Sequence, residues 1–185
     1  AVKANLGEKP AELAIVKGRN TDSPNAWFVW HKDPALNGPV QNGKLYKDDP
    51  FNTSWGINGH PTTGNYFYVG QPADTVGVNY IAYLFASVPG ICDIGSYTGN
   101  GSEVTVDCGF TNGARWLLIK RTDSAGDWYF TSEPTFFFIL SKLNTIGSQV
   151  NYMSTYNDVP SGFRVTSTSG ELCVDGGEYI YMAIA

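Results

Sequence analysis

Ala11-Glu12-Leu13-Ala14-Ile15-Val16-Lys17-Gly18-Arg19 returns in the second half of the chain as Ala114-Arg115-Trp116-Leu117-Leu118-Ile119-Lys120-Arg121. Each copy runs through a polar Asp/Ser turn into an aromatic segment, Trp27-Phe28-Val29-Trp30 in the first and Trp128-Tyr129-Phe130 in the second. Each then closes on a matching apolar stretch, Gly77-Val78-Asn79-Tyr80-Ile81-Ala82-Tyr83-Leu84-Phe85-Ala86 and Gly176-Gly177-Glu178-Tyr179-Ile180-Tyr181-Met182-Ala183-Ile184-Ala185. Three landmarks in one order, at similar separations, mark a whole β-module copied in tandem. The chain therefore reads as all-β, with two homologous β-sandwich or jelly-roll-like modules in tandem, residues 1–90 and residues 91–185. The start of the first module reads as truncated, and the ends of the sequence suggest part of a longer or processed polypeptide.

Composition agrees with that reading. A hydrophobic fraction of 42% supplies a packed core, and the 21 glycines and 10 prolines follow no short period, so they serve the turns of an all-β chain. Strands are expected over residues 12–17, 27–31, 43–47, 55–58, 66–69, 79–85, 91–97, 103–108, 115–121, 128–132, 163–167, 171–174 and 179–184. Residues 135–146 are apolar enough for either a helical turn or a buried strand, and periodicity does not decide between them. Asn100-Gly101, inside Ser96-Tyr97-Thr98-Gly99-Asn100-Gly101-Ser102, predicts a β-hairpin, because Asn-Gly supplies the positive φ values of a tight turn.

Charge narrows the partners. A formal net charge of -5 with only 12 Lys and Arg argues against a protein that tracks nucleic-acid phosphates. Lys120 and Arg121 read as charges at the solvated end of a strand. No segment approaches the roughly 18 continuous apolar residues of a membrane-spanning helix, so membrane insertion is not expected. Cys92, Cys108 and Cys173 lack metal-ligand spacing. Cys92 and Cys108 lie symmetrically about Asn100, where a hairpin would set them opposite each other for a disulfide; small apolar residues in a reducing compartment are the alternative and the preferred one.

Signatures of catalysis are missing from the sequence. His31 and His60 stand in no metal-binding spacing, the first reading as a polar rim residue and the second as a turn residue. There is no nucleophile elbow, phosphate-cradling loop or dinucleotide fingerprint. Asp48 with Asp49, Asp123 with Asp127, and Glu171 with Asp175 are the carboxylate pairs open to a glycosidase mechanism, yet all lie in turn-like stretches that favour solvated Asp. Asp123-Ser124-Ala125-Gly126-Asp127 offers oxygens to calcium without the twelve-residue loop of an EF-hand. We assign no catalytic residue, no metal ligand and no cofactor.

Aromatic residues are the remaining excess, with 5 Trp, 11 Tyr and 10 Phe. In Trp27-Phe28-Val29-Trp30 alternation makes both strand faces apolar, as in a strand buried on both sides. Trp55, Tyr66, Tyr68, Tyr152 and Tyr156 sit among Gly, Asn, Ser and Thr, where a ring can stack on a sugar while amides satisfy hydroxyls. Packing within the turn is the other reading for each.

Tyr80-Ile81-Ala82-Tyr83-Leu84-Phe85-Ala86, Gly95-Ser96-Tyr97-Thr98-Gly99-Asn100-Gly101-Ser102, Cys108-Gly109-Phe110, Leu118-Ile119-Lys120-Arg121-Thr122-Asp123 and Gly126-Asp127-Trp128 together resemble the tandem β-rich repeats of tail-associated structural proteins in tailed bacteriophages, especially aquatic and cyanobacterial phages. The resemblance covers nearly the whole chain, most closely residues 80–128 and 179–185, and departs from the repeat at 134–157. It implies a tail fibre or another exposed virion component, assembled in the host cytoplasm with other virion proteins, with lectin-like modules meeting host-surface glycans. A non-enzymatic homo-oligomer is the leading expectation. A capsid-decorating or tail-lattice protein is the second, and a polysaccharide depolymerase the third.

Overall fold

Alternating apolar runs bounded by Gly, Pro and Asn do form strands throughout the described chain. The computed structural model describes residues 2–3, 6, 9–20, 27–33, 42–53, 66–67, 69–70, 73, 75–132, 141–145, 159–166 and 171–185. The architecture is all-β, with no α-helix among the described residues, and it divides into two compact units, Ala1–Ala86 and Ser87–Ala185.

The first unit contains β1 (Val2–Lys3), β2 (Leu13–Gly18), β3 (Trp27–His31), β4 (Asn42–Lys44), β5 (Tyr66–Phe67) and β6 (Tyr80–Phe85). Four of these form a sheet in the order β4-β3-β2-β6, and β1 pairs with β5. Ala14, Val16, Phe28 and Trp30 build the buried core with Ala73, and Tyr80, Ala82 and Leu84 pack against it. Phe28, Val29 and Trp30 are all buried, so β3 is covered on both faces, as its unbroken apolar pattern requires. His31 is buried too, which corrects its expected place on a polar rim. Its Nδ1 accepts the Asp33 amide at 3.2 Å, giving the ring a polar partner inside the fold.

The second unit contains β7 (Cys92–Thr98), β8 (Glu103–Asp107), β9 (Trp116–Arg121), β10 (Trp128–Thr131), β11 (Ser141–Lys142), β12 (Gly162–Thr166) and β13 (Glu178–Ile184). Its main sheet runs β11-β10-β9-β13-β7, and β12 pairs with β8 in a second sheet. Val106, Phe163 and Val165 from the second sheet join Tyr97, Leu117, Ile119, Tyr129, Tyr179, Tyr181 and Ala183 from the first in one core. Two layers closing over one core make this unit sandwich-like.

Strand order and register run in parallel in the two units. In β2 and β3 Lys17 stands opposite Trp27, and in β9 and β10 Lys120 stands opposite Trp128. Those lysines face Ile81 and Ile180 on their other side. Phe28 faces Lys44 as Tyr129 faces Lys142, and β1 pairs antiparallel with β5 as β8 does with β12. Only β7 lacks a counterpart among the described strands of the first unit.

Three local expectations need correction. Asn100-Gly101 does not close a hairpin, because β7 and β8 belong to different sheets. Gly101 has a φ of 70°, as the Asn-Gly signal demands, but its amide donates to the Cys173 carbonyl at 3.0 Å, and the Gly99 amide donates to Gly177 at 2.8 Å. The turn is a corner between layers, docked on the loop at 171–177. Consequently Cys92 and Cys108 are not set opposite each other, and all three cysteines are free thiols. Residues 171–174, expected as a strand, lie outside any strand; their backbone is held by tyrosine hydroxyls and by turn amides. Lys120, expected in solvent, is buried, and its Nζ donates to the Arg121 carbonyl at 2.6 Å. The expected strand at 55–58, and His60, lie outside the described residues.

Phe163 is fully buried and meets Tyr181 edge-on at a centroid distance of 5.0 Å. Phe163→Ala is expected to cost about 3–5 kcal/mol, whereas Val76→Ser, at a site 98% exposed, should stay within about 0.5 kcal/mol. Urea unfolding of both variants checks the pair.

Candidate functional site

The most concentrated polar chemistry among the described residues lies at the rim of the second core. Four tyrosines carry it: Tyr97 on β7, Tyr129 on β10, and Tyr179 and Tyr181 on β13. The i, i+2 spacing of the last two puts both rings on the core face of one strand. Tyr97 stacks on Tyr179 at 4.8 Å with an interplanar angle of 6°. The rings are buried, and each hydroxyl emerges at a polar partner.

Three of those hydroxyls secure the loop at 171–177. Tyr97 Oη donates to the Leu172 carbonyl at 2.8 Å, Tyr179 Oη donates to the Glu171 carbonyl at 2.6 Å, and Tyr129 Oη donates to the Glu171 carboxylate. Tyr179 Oη also accepts the Val174 amide at 3.1 Å. A segment without strand partners thus shares its backbone groups between phenols and the amides of Gly101 and Gly177. The fourth, Tyr181 Oη, donates to Asp93 Oδ2 at 2.5 Å.

The electrostatics of the cluster oppose nucleophilic chemistry. Burial raises the pKa of Tyr97, Tyr179 and Tyr181 above the ordinary phenol value. Burial first, and then the nearby Asp93 charge, push the Cys108 thiol up to about 12. An activated nucleophile needs the reverse, a depressed pKa or an adjacent base poised to take the proton. These groups are neutral hydrogen-bond donors, suited to holding a loop.

The carboxylate pairs read from the sequence are dispersed into separate contacts. Asp48 and Asp49 are exposed. Arg121 donates to Asp123 through Nε and Nη2, both at 2.9 Å, and the Glu178 amide donates to the same carboxylate at 3.0 Å. Asp127 forms an ion pair with Lys142 and accepts Asn144 Nδ2 at 2.7 Å. Those cations occupy the oxygens that the Asp123–Asp127 segment would have offered to calcium, and among the described residues no cluster of three or more potential metal ligands occurs. Glu171 serves Tyr129, while Asp175 is exposed.

Of the aromatics read as glycan contacts, Trp55, Tyr68, Tyr152 and Tyr156 lie outside the described residues. Tyr66 is described only through its backbone, which pairs with Lys3. The four tyrosines of the second unit are not marked as a site by the sequence because all four sit in strands, where an aromatic reads as core. Their i, i+2 alternation and the nearby Glu171 were the available signal.

No helix is long and apolar enough to cross a membrane among the described residues. Fold and site together define an all-β protein of two compact units, the second with a loop anchored by tyrosine hydroxyls. The chain belongs to the family described as a domain of unknown function (DUF7483), which matches residues 1–185. No curated protein and no solved structure matches it.

Two outcomes follow from the electrostatics. A thiol at about 12 is ionised in roughly one molecule in ten thousand at pH 8, so alkylation of Cys108 by iodoacetamide should run at least about a hundredfold slower than that of an ordinary thiol. Asp93→Asn should accelerate it, with peptide mass spectrometry as the readout. Separately, the hydrogen bonds from Arg121 hold the Asp123 carboxyl below its ordinary value of 3.8. The stability this contributes is fully present above that value and is lost as pH falls through the lower folded value. Asp123→Asn should flatten the acid limb of the stability profile and cost under about 1 kcal/mol at pH 7, since the pair is partly solvated.

Proposed function

We propose that the chain is a non-enzymatic structural and adhesive part of a tailed-phage virion, built from two modules that arose by duplication. The matched strand order and register carry this reading. Lys17 between Trp27 and Ile81, and Lys120 between Trp128 and Ile180, are the same three-strand constellation in both units. Independent sandwiches have no reason to share a register, since a one-residue slip exchanges the two faces of a strand. A duplicated rigid module suits a role in which geometry is repeated along a particle, and the resemblance of its sequence strings to phage tail repeats supports a virion as that particle.

Function in this reading is presentation. Homo-oligomeric assembly multiplies weak contacts between loop aromatics, with Trp55, Tyr66, Tyr68, Tyr152 and Tyr156 as the candidates, and host-surface glycans, so that avidity replaces affinity. The tyrosine-anchored loop contributes rigidity. A polysaccharide depolymerase would need two carboxyls about 5–9.5 Å apart astride a groove; Asp123 and Asp127 are instead each committed to a basic side chain. A lattice-forming role without receptor contact is the second reading, favoured by the apolar edge of β6, whose Ile81 and Tyr83 are exposed.

Mass spectrometry of purified particles whose genome encodes the chain should detect it at structural copy number. Its absence from particles overturns the virion reading. Particles that contain it, and whose adsorption the purified protein inhibits, support adhesion; particles that contain it and adsorb unaffected by the protein favour the lattice role.

A further inference from the structure

β6 and β13 occupy the same place in their units, and among the described strands only β13 has a neighbour on its outer edge. β13 lies between β9 and β7, whereas β6 pairs with β2 and no strand lies beyond it among the described residues. The equivalences follow from the shared register: Tyr80, Ile81, Ala82, Tyr83, Leu84 and Phe85 stand where Tyr179, Ile180, Tyr181, Met182, Ala183 and Ile184 stand. Ile81 and Tyr83 are 39% and 44% exposed, while Ile180 and Met182 are 3% and 6% exposed. β6 also carries no Lys, Pro or charged residue along Tyr80-Ile81-Ala82-Tyr83-Leu84-Phe85, although such residues are how edge strands are ordinarily protected from pairing.

We propose that the outer edge of β6 is a strand-addition site, filled by an extended, uncharged segment of another module of this kind that docks antiparallel as β7 docks on β13. This rests on the duplicated-module reading. The Arg19 amide donates to the Asn79 carbonyl and the Thr122 amide to the Glu178 carbonyl, so by antiparallel alternation the amides of Ala82 and Leu84 point to the outer edge, as those of Tyr181 and Ala183 point to β7. Main-chain pairing there supplies affinity, and the side chains opposite supply selectivity.

The β7 ladder defines what the added strand must carry. Tyr97 lies opposite Tyr179, Gly95 opposite Tyr181, Ile94 opposite Met182 and Asp93 opposite Ala183. An aromatic is therefore expected opposite Tyr80 and an aliphatic opposite Tyr83. The other two positions change. A Cβ on Gly95 would come within 2.6 Å of Tyr181 Oη, which requires glycine there; Ala82 imposes no such limit, so a branched residue fits opposite it. Asp93 is held by the Tyr181 hydroxyl, and Ala82 has none to give, so the acid is replaced by an apolar residue.

These differences allow a probe that discriminates between the two edges. A synthetic peptide copying residues 91–98 with Cys92→Ser, Asp93→Val and Gly95→Val, flanked by lysines for solubility, fits β6 and clashes at β13. Added to the full chain, it should slow hydrogen exchange of the Ala82 and Leu84 amides at least fivefold, read by NMR. Tyr83→Lys should weaken this binding at least tenfold, and a peptide with Gly95→Pro, lacking the central donor, should not bind. Exchange unchanged at millimolar peptide, protection on β13 instead, or self-association of the chain through β6 that the peptide does not displace would each overturn the proposal. Particle composition tests the virion reading separately, so either can fail alone.

Discussion

A β-strand paired on both edges and covered on both faces has no direction left for water, and β13 is such a strand. It hydrogen-bonds β9 and β7, sends Tyr179, Tyr181 and Ala183 into the core, and keeps Ile180 and Met182 buried on the other face. Every backbone group along it must find a partner in a neighbouring strand, and every side chain must fill space or bring its own polar partner. The rest of the second unit follows from that. The flanking strands meet its register, β8 and β12 close over its inner face, and its two tyrosines reach out of the core to Asp93 and to the loop at 171–177.

Tyrosine is well suited to that position because it divides the work along its own length. The ring replaces an aliphatic side chain in the core and the hydroxyl serves the margin. Three such hydroxyls converge on one loop that has no strand of its own, so the loop inherits the rigidity of the sheet below it. The same burial that lets the rings pack keeps the phenols protonated, and a protonated phenol is the form that donates to a carbonyl.

Strand existence was legible wherever the pattern was strong. The residues from Trp27 to His31 read as a strand apolar on both faces and are one, and the likeness of residues 11–19 to 114–121 sets Lys17 against Lys120, as the two registers do. What the sequence concealed was pairing and depth. Asn100-Gly101 reports a local backbone conformation, which the turn has, but says nothing about whether the flanking strands stay in one sheet. Residues 171–174 look like a strand because apolar residues do, yet tyrosine hydroxyls and turn amides, not a neighbouring strand, pair with their backbone. Lys120 and His31 look like surface residues because charge and polarity favour water on average, and each is held inside by a specific local hydrogen bond. The anchoring tyrosines were hidden for the complementary reason, since an aromatic in a strand is the default core residue.

The tight turn that carries Val76 and closes with the Val78 amide on the Thr75 carbonyl projects into solvent just ahead of β6. Foreign sequence spliced there would leave the sheet hydrogen bonds intact. The protein thus contains a ready mounting point for an epitope tag or a fluorescent label, close to the outer border of β6.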